Sequence, residues 1–209
     1  MKRIAVSQRL DGIAGRDERR DAVDTLWGTI LWNLGFLPIP VCNSIPDPAE
    51  YISVLKPDGI LITGGNDLGE APARDASEAA LLHYAEATGI GVFGVCRGLQ
   101  LINTYLGGGL VRLENHVAVR HTVTGAMRGG EREVNSYHNF GVMPEGLGRN
   151  LEILATARDK SIEAIRHQTL PWVAIMWHPE REAQLSNHDI ELMQSTFLTN
   201  GERRAFSAH

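Results

Sequence analysis

Apolar positions along the chain follow two rhythms. Short, continuous apolar runs rich in β-branched residues predict buried strands: "RIAVS" near the start, then "DGILIT" and "IGVFGV". Between them, apolar residues recur at helical spacing. In "RRDAVDTLWGTILWNLG", Val23, Leu26, Trp27, Ile30, Leu31 and Leu34 share one face, which predicts a helix closed by Gly35. "FLPIPV" reads as a strand near a sheet edge, because Pro38 and Pro40 cannot donate to a ladder. "PAEYISVLKP" predicts a short helix. "DASEAALLHYAEATG" predicts a longer one, with Asp75 or Ser77 as N-cap and Gly89 as its stop. A further helix, "RGLQLINTYLGG", follows the fourth strand.

Strands and helices that alternate with short connections argue for an α/β fold with a mostly parallel sheet covered on both faces. Past Gly109 the rhythm shortens. "GGEREVNSYHNFGVMP" and "LEILATARDKSIEAIRHQTLPWVAIMWHPE" predict short strands in hairpins, and "NHDIELMQSTFLTNG" a closing helix. There is no repeat, low-complexity tract or evident linker, so the 209 residues read as one domain over 1–209. In such sheets ligands bind beyond the carboxyl ends of the strands. That rule singles out "TGGND" after the third strand and "CRG" after the fourth.

Charge and composition narrow the field. A net charge of −5 with both signs interspersed leaves no basic stripe, so no nucleic-acid partner is expected. No run approaches the roughly 18 apolar residues of a membrane span. "MKRIAVSQRL" lacks the apolar core of a signal peptide. The two cysteines, Cys42 and Cys96, cannot build a disulfide framework and fit a reducing, cytoplasmic setting.

"GVFGVCRGLQ" carries the first chemistry. Cys96 sits at a strand-to-helix turn with Gly94 and Gly98 two residues to either side, the pattern of a nucleophile elbow. Small flanking residues let strand and helix approach, and the central residue accepts a strained backbone. A helix N-terminus favours the thiolate, which predicts a lowered Cys96 pKa. The Arg97 N–H points to where an oxyanion would form. A buried structural cysteine is the plainer reading of a lone Cys, and Cys42 is left with it. "IMWHPE" supplies a base, His178, and an orienting carboxylate, Glu180. Gly64 and Gly65 offer a second oxyanion donor, with a plain glycine turn as the alternative.

Together, "GVCRGLQ", "WHPE" and the glycine pair resemble the class I glutamine amidotransferase superfamily, and within it the γ-glutamyl hydrolase-type (peptidase C26) branch, which includes γ-glutamyl-γ-aminobutyrate hydrolase. The resemblance covers almost the whole chain. It implies a flavodoxin-like three-layer sandwich around a central sheet with the elbow. It also implies Cys96 as nucleophile, His178 as base and acid, Glu180 as its partner, and Gly65 and Arg97 as oxyanion donors. Substrate contacts are implied at Gly64, at Gln100 toward the α-amino and α-carboxylate end of a glutamyl group, and along "VNSYHN" at Ser136, Tyr137 and His138. For His138 a structural role stays open beside the binding one. The stretch "LGEAPARDASE" departs from many relatives, which nominates Glu70, Arg74 and Asp75 for the leaving group; Arg74 suits an anion, with a solvated salt bridge as the alternative. "GGND…RD" and "VNSYHN" also resemble proteins of bacterial surface-polysaccharide modification, where a γ-glutamyl phosphoramidate on a cytidine nucleotide is hydrolysed to glutamate.

The expected activity is therefore hydrolysis of a γ-glutamyl amide to glutamate through a γ-glutamyl thioester, on a small-molecule substrate such as a γ-glutamyl-CDP-amidate or γ-glutamyl-aminobutyrate. The alternative is a glutaminase subunit feeding ammonia to a separate synthase. A binding module would have a mutated triad, and a cysteine peptidase or chaperone-like relative would lack the His-Pro-Glu turn. His116, His121 and His188 fit no tight metal spacing and have no cysteine ligands beside them, so neither metal nor cofactor is expected. His116 and His121 read as parts of a loop at the site mouth. No membrane partner is expected, and a homodimer is compatible with the reading.

Overall fold

The computed structural model describes residues 1–125, 130–199 and 202. Nine strands form the central sheet: β1 (Lys2–Val6), β2 (Phe36–Pro40), β3 (Gly59–Ile62), β4 (Gly91–Val95), β5 (Val117–Gly125), β6 (Arg132–Tyr137), β7 (Leu151–Ala157), β8 (Ile162–His167) and β9 (Trp172–Ile175). Their order across the sheet is β2-β1-β3-β4-β9-β8-β7-β5-β6. From β2 to β9 neighbouring strands run parallel; from β9 to β6 they pair antiparallel. The expected mostly parallel core with later hairpins is what forms. The all-apolar runs explain the parallel half: every residue of β3 and β4 is buried, as strands covered on both faces require. The proline-bearing β2 lies at the sheet edge.

Among the described residues, helices α1 (Thr25–Asn33), α2 (Pro48–Leu55), α3 (Pro72–Thr88), α4 (Arg97–Tyr105) and α5 (Asn187–Phe197) flank the sheet. Successive strand residues face opposite ways. Gly91 meets the α5 backbone at Thr196, whereas Gly94, three residues on, meets α4 at Gly98. The two helices therefore cover opposite faces of β4, giving three layers. No helix among the described residues is long and apolar enough to cross a membrane.

Two boundaries differ from expectation. Arg19–Ala22 is a strand paired with Arg9–Gly12, so α1 starts only at Thr25, capped by the Asp24 carboxylate on the Leu26 N–H. "RRD" has no apolar face to bury in a helix, and the hairpin satisfies its backbone instead. Helix α3 begins at Pro72, which places Asp75 and Ser77 inside it rather than at its cap. Its stop at Gly89, φ 72°, is as expected.

Candidate active site

The elbow between β4 and α4 is a close approach of two glycines. A Cβ on Gly94 would lie 2.8 Å from the Gly98 carbonyl carbon, and one on Gly98 would lie 2.5 Å from the Ile62 oxygen. Between them Cys96 adopts φ 52°, ψ −102°. Such a backbone costs about 1–3 kcal/mol and persists only where the surroundings enforce it. They do: the Cys96 N–H donates to Ile175 O at 2.8 Å, and its carbonyl accepts from Leu99 N at 2.9 Å. The Arg97 N–H lies close enough to the Cys96 sulfur to favour its thiolate.

The thiol does not have the low pKa expected at a helix N-terminus. Burial pushes it up to about 12, and the nearby carboxylates of Glu180 and Glu163 act in the same direction, outweighing the Arg97 N–H and Arg181. The side chain is only 6% exposed. At rest it is a neutral thiol, so any nucleophilic role requires transfer of its proton to a neighbour.

That neighbour is placed across Gly64. A Cβ on Gly64 would lie 2.6 Å from the His178 ring at Cε1 and 3.6 Å from Cys96 Cβ, so only glycine fits between the imidazole and the cysteine. His178 follows β9 and is 1% exposed. Its Nδ1 is 2.7 Å from Glu180 Oε1, while Nε2 is buried without a hydrogen-bond partner. A carboxylate accepts only, so Nδ1 carries the proton and Nε2 offers a lone pair. Asn135 fixes the His178 backbone from both sides: its Oδ1 accepts from His178 N at 2.9 Å and its Nδ2 donates to His178 O at 2.8 Å. Sequence reasoning missed Asn135, although it stands in the quoted "VNSYHN".

Arg74 lies in neither cavity of the site. It is fully buried beneath the Thr63–Gly64–Gly65 turn. Its Nη2 donates to Thr63 O at 2.7 Å and Gly64 O at 3.1 Å, its Nη1 donates to Gly65 O, and its Nε pairs with Glu78 Oε1 at 2.8 Å. Glu78 and Asp75 also pair with the buried Arg97 side chain. Arg74 thus serves neither as the anion contact nor as the solvated salt bridge expected; it clamps the turn, and Asp75 belongs to the same network. The consequence is directional. All peptide bonds among the described residues are trans, so the Gly65 N–H points opposite to the Gly64 carbonyl that Arg74 holds.

Two cavities meet at this turn. The first, about 220 Å³, has Cys96, Arg97, Gly65, Gln100, Tyr137 and His138 in its wall, with Asp67 and Glu70 at one edge. Gln100 Nε2 donates to Phe140 O at 2.8 Å. Of the three residues nominated on β6 and beyond, Tyr137 and His138 line this cavity. Ser136 does not: it is fully buried and donates to His116 O at 2.7 Å, because alternation along β6 turns it to the other face. Tyr137 stands edge-on to the His178 ring at 5.9 Å and under the Arg181 guanidinium at 4.4 Å. The second cavity, about 180 Å³, lies on the His178 side, with Arg9, Arg181, Asp24 and Trp27 in its wall. Arg9 comes from the hairpin whose second strand, Arg19–Ala22, stands where the sequence predicts the opening of α1. His121 lies on β5 and His116 directly before it, not in a mouth loop; His116 is buried.

The peptidase C26 family model matches residues 20–180. The chain is 32% identical over 205 residues to the γ-glutamyl-CDP-amidate hydrolase of Campylobacter jejuni, covering 93% of this chain and 96% of that one. It is 26% identical over 163 residues to one subunit of the glutamine-hydrolyzing GMP synthase of Thermococcus kodakarensis, covering 76% and 83% respectively. The glutaminase domain of Trypanosoma brucei CTPS, solved with bound acivicin, shares the fold at a TM-score of 0.70 and 16% identity over 94% of both chains.

Proposed function

This chain belongs to the peptidase C26 family of class I glutamine amidotransferase-like hydrolases, and from that premise we propose that it hydrolyses γ-glutamyl amides through Cys96, His178 and Glu180. The observation that carries the proposal is the unpartnered Nε2 of a buried His178, whose other nitrogen is held by Glu180, across one glycine from Cys96.

Substrate binding brings the γ-carbonyl against Cys96. His178 Nε2 takes the thiol proton, and the imidazolium formed is stabilised by Glu180. The sulfur attacks the carbonyl carbon, and the oxyanion accepts from the N–H groups of Gly65 and Arg97. His178 returns its proton to the leaving nitrogen as the C–N bond breaks, leaving a γ-glutamyl thioester. Water, deprotonated by His178, then releases glutamate and the Cys96 thiol.

The glutamyl group occupies the cavity of Gln100, Tyr137 and His138, whose acidic edge at Asp67 and Glu70 suits an α-ammonium. The leaving group faces the second cavity, where Arg9 and Arg181 suit an anion. A γ-glutamyl phosphoramidate of a nucleotide has that charge pattern, and the Campylobacter relative is named for such a substrate. The similarity to a component of a glutamine-hydrolyzing synthase supports a second reading, in which the same residues release ammonia for a partner chain.

One panel separates them: the purified chain alone, with free glutamine, γ-glutamyl-aminobutyrate, a γ-glutamyl polyamine and a γ-glutamyl nucleotide phosphoramidate. Glutamate release fastest from the phosphoramidate is expected. Release from glutamine only, and only with a synthase present, would replace this reading by the second.

A further inference from the structure

Behind the first cavity, and including its wall residue His138, lies a group of buried side chains that performs no chemical step of the amide hydrolysis. His116 Nδ1 is 3.3 Å from His138 Nε2 and 3.7 Å from Glu163 Oε1, and His138 Nε2 is 3.6 Å from the same oxygen. His116 is 5%, His138 3% and Glu163 0% exposed.

The outer hydrogen bonds settle where the protons are. His116 Nε2 is 2.9 Å from Asp159 Oδ2, and His138 Nδ1 is 3.0 Å from Phe140 O. A carboxylate and a carbonyl only accept, so both outer nitrogens carry hydrogens. In the neutral rings both inner nitrogens are then bare lone pairs. Two lone pairs and a carboxylate oxygen face one another with no donor among them, and the Ser161 hydroxyl, 3.5 Å from Glu163 Oε1, gives its one hydrogen to Asp159 Oδ1 at 2.7 Å. Such an arrangement needs a positive centre in its middle.

We propose that His116, His138 and Glu163 bind one divalent transition-metal ion of the zinc class. The three separations are the edges of a triangle whose centre lies about 2.0 Å from each atom, the length of zinc bonds to histidine nitrogen and carboxylate oxygen. The outer contacts are those of ligating histidines, which hand their second N–H to a carboxylate or carbonyl and so orient the ring. Nitrogen and carboxylate donors favour zinc-class ions over calcium or magnesium, which take oxygen ligands. Three protein ligands leave a fourth position for water. The ligands come from the residue before β5, the residue after β6 and from β8, so the ion ties the antiparallel half of the sheet together and fixes the His138 wall of the first cavity. It takes no part in the amide hydrolysis proposed above and stands or falls separately from it.

The rival positive centre is a proton, with one imidazole as an imidazolium against Glu163. The test uses the chelator-treated full chain carrying Cys96→Ser, so that the active-site sulfur cannot take the probe. Titration with Co²⁺ alone is expected to saturate at one equivalent, with the visible ligand-field band of four-coordinate cobalt and a rise in Tm. Glu163→Gln is expected to abolish the band, with circular dichroism reporting the fold. Asp159→Asn, at a half-exposed side chain, should fold and weaken binding ten- to a hundred-fold. No band at any stoichiometry, or a band unchanged in both variants, overturns the proposal.

Discussion

At Cys96 two local effects oppose each other, and their balance is a matter of burial. The helix N-terminus and the Arg97 N–H favour a thiolate, whereas desolvation and the Glu180 and Glu163 charges favour the thiol and prevail. The pKa is raised from 9.0 to about 12, so the fraction of thiolate at neutral pH is lower than in an exposed cysteine. Cys42 is exposed. With iodoacetamide, Cys42 should therefore react first across neutral pH, and Cys96 should gain reactivity only as the pH rises well past 9. Peptide mapping of the alkylated protein checks this. A Cys96 labelling curve that levels off below pH 8 would mean that a preformed thiolate exists at rest. The backbone at Cys96 was legible because its steric demand leaves a mark, glycine at 94 and 98. The pKa was not, because burial is a property of the folded surroundings.

The turn after β3 and the strand β6 show how elements aim the site. Arg74, from the first turns of α3, holds three successive carbonyls and so turns the Gly65 N–H the other way. Arg74→Lys keeps the charge but loses the planar fork. It should lower kcat by about 100- to 1,000-fold, the effect of losing one oxyanion donor, with little change in KM; a kcat within a few-fold of wild type would detach the clamp from the chemistry. Asn135, on β6, pins the backbone of His178. Asn135→Ala leaves that N–H buried without a partner, while the carbonyl keeps the Arg181 N–H at 3.1 Å; the cost is about 1–3 kcal/mol in stability, and kcat should fall with the pH profile retained. Thermal unfolding and steady-state kinetics read both effects. Strands and helices with continuous apolar runs or helical spacing were legible. Three features were not. The Arg9–Gly12 and Arg19–Ala22 hairpin carries too little apolar alternation to announce itself. Arg74 and Asn135 act through backbone groups brought close only by the fold. The proposed ligands His116, His138 and Glu163 sit before β5, after β6 and on β8, with no short spacing between them.

Across the whole molecule, the parallel half of the sheet presents its carboxyl ends as the floor of the site, and the antiparallel half folds β6 over it as a wall. This division puts the acidic-edged cavity on the Cys96 side and the arginine-lined one on the His178 side. In the proposed function the first holds the glutamyl half of the substrate and the second the leaving group. Arg9→Ala should raise KM for a γ-glutamyl nucleotide phosphoramidate by about ten-fold or more, as loss of one charge-assisted contact of 1.5–3 kcal/mol implies, and should leave KM for free glutamine unchanged. An equal effect on both would place the anion elsewhere. The central claim is the γ-glutamyl thioester on Cys96, and hydroxylamine added during turnover tests it most directly. A thioester is predicted to divert part of the glutamate into γ-glutamyl hydroxamate, in a ratio that grows with hydroxylamine, and Cys96→Ala is predicted to lose both products. Glutamate release without any hydroxamate, or hydroxamate that persists in Cys96→Ala, would contradict it.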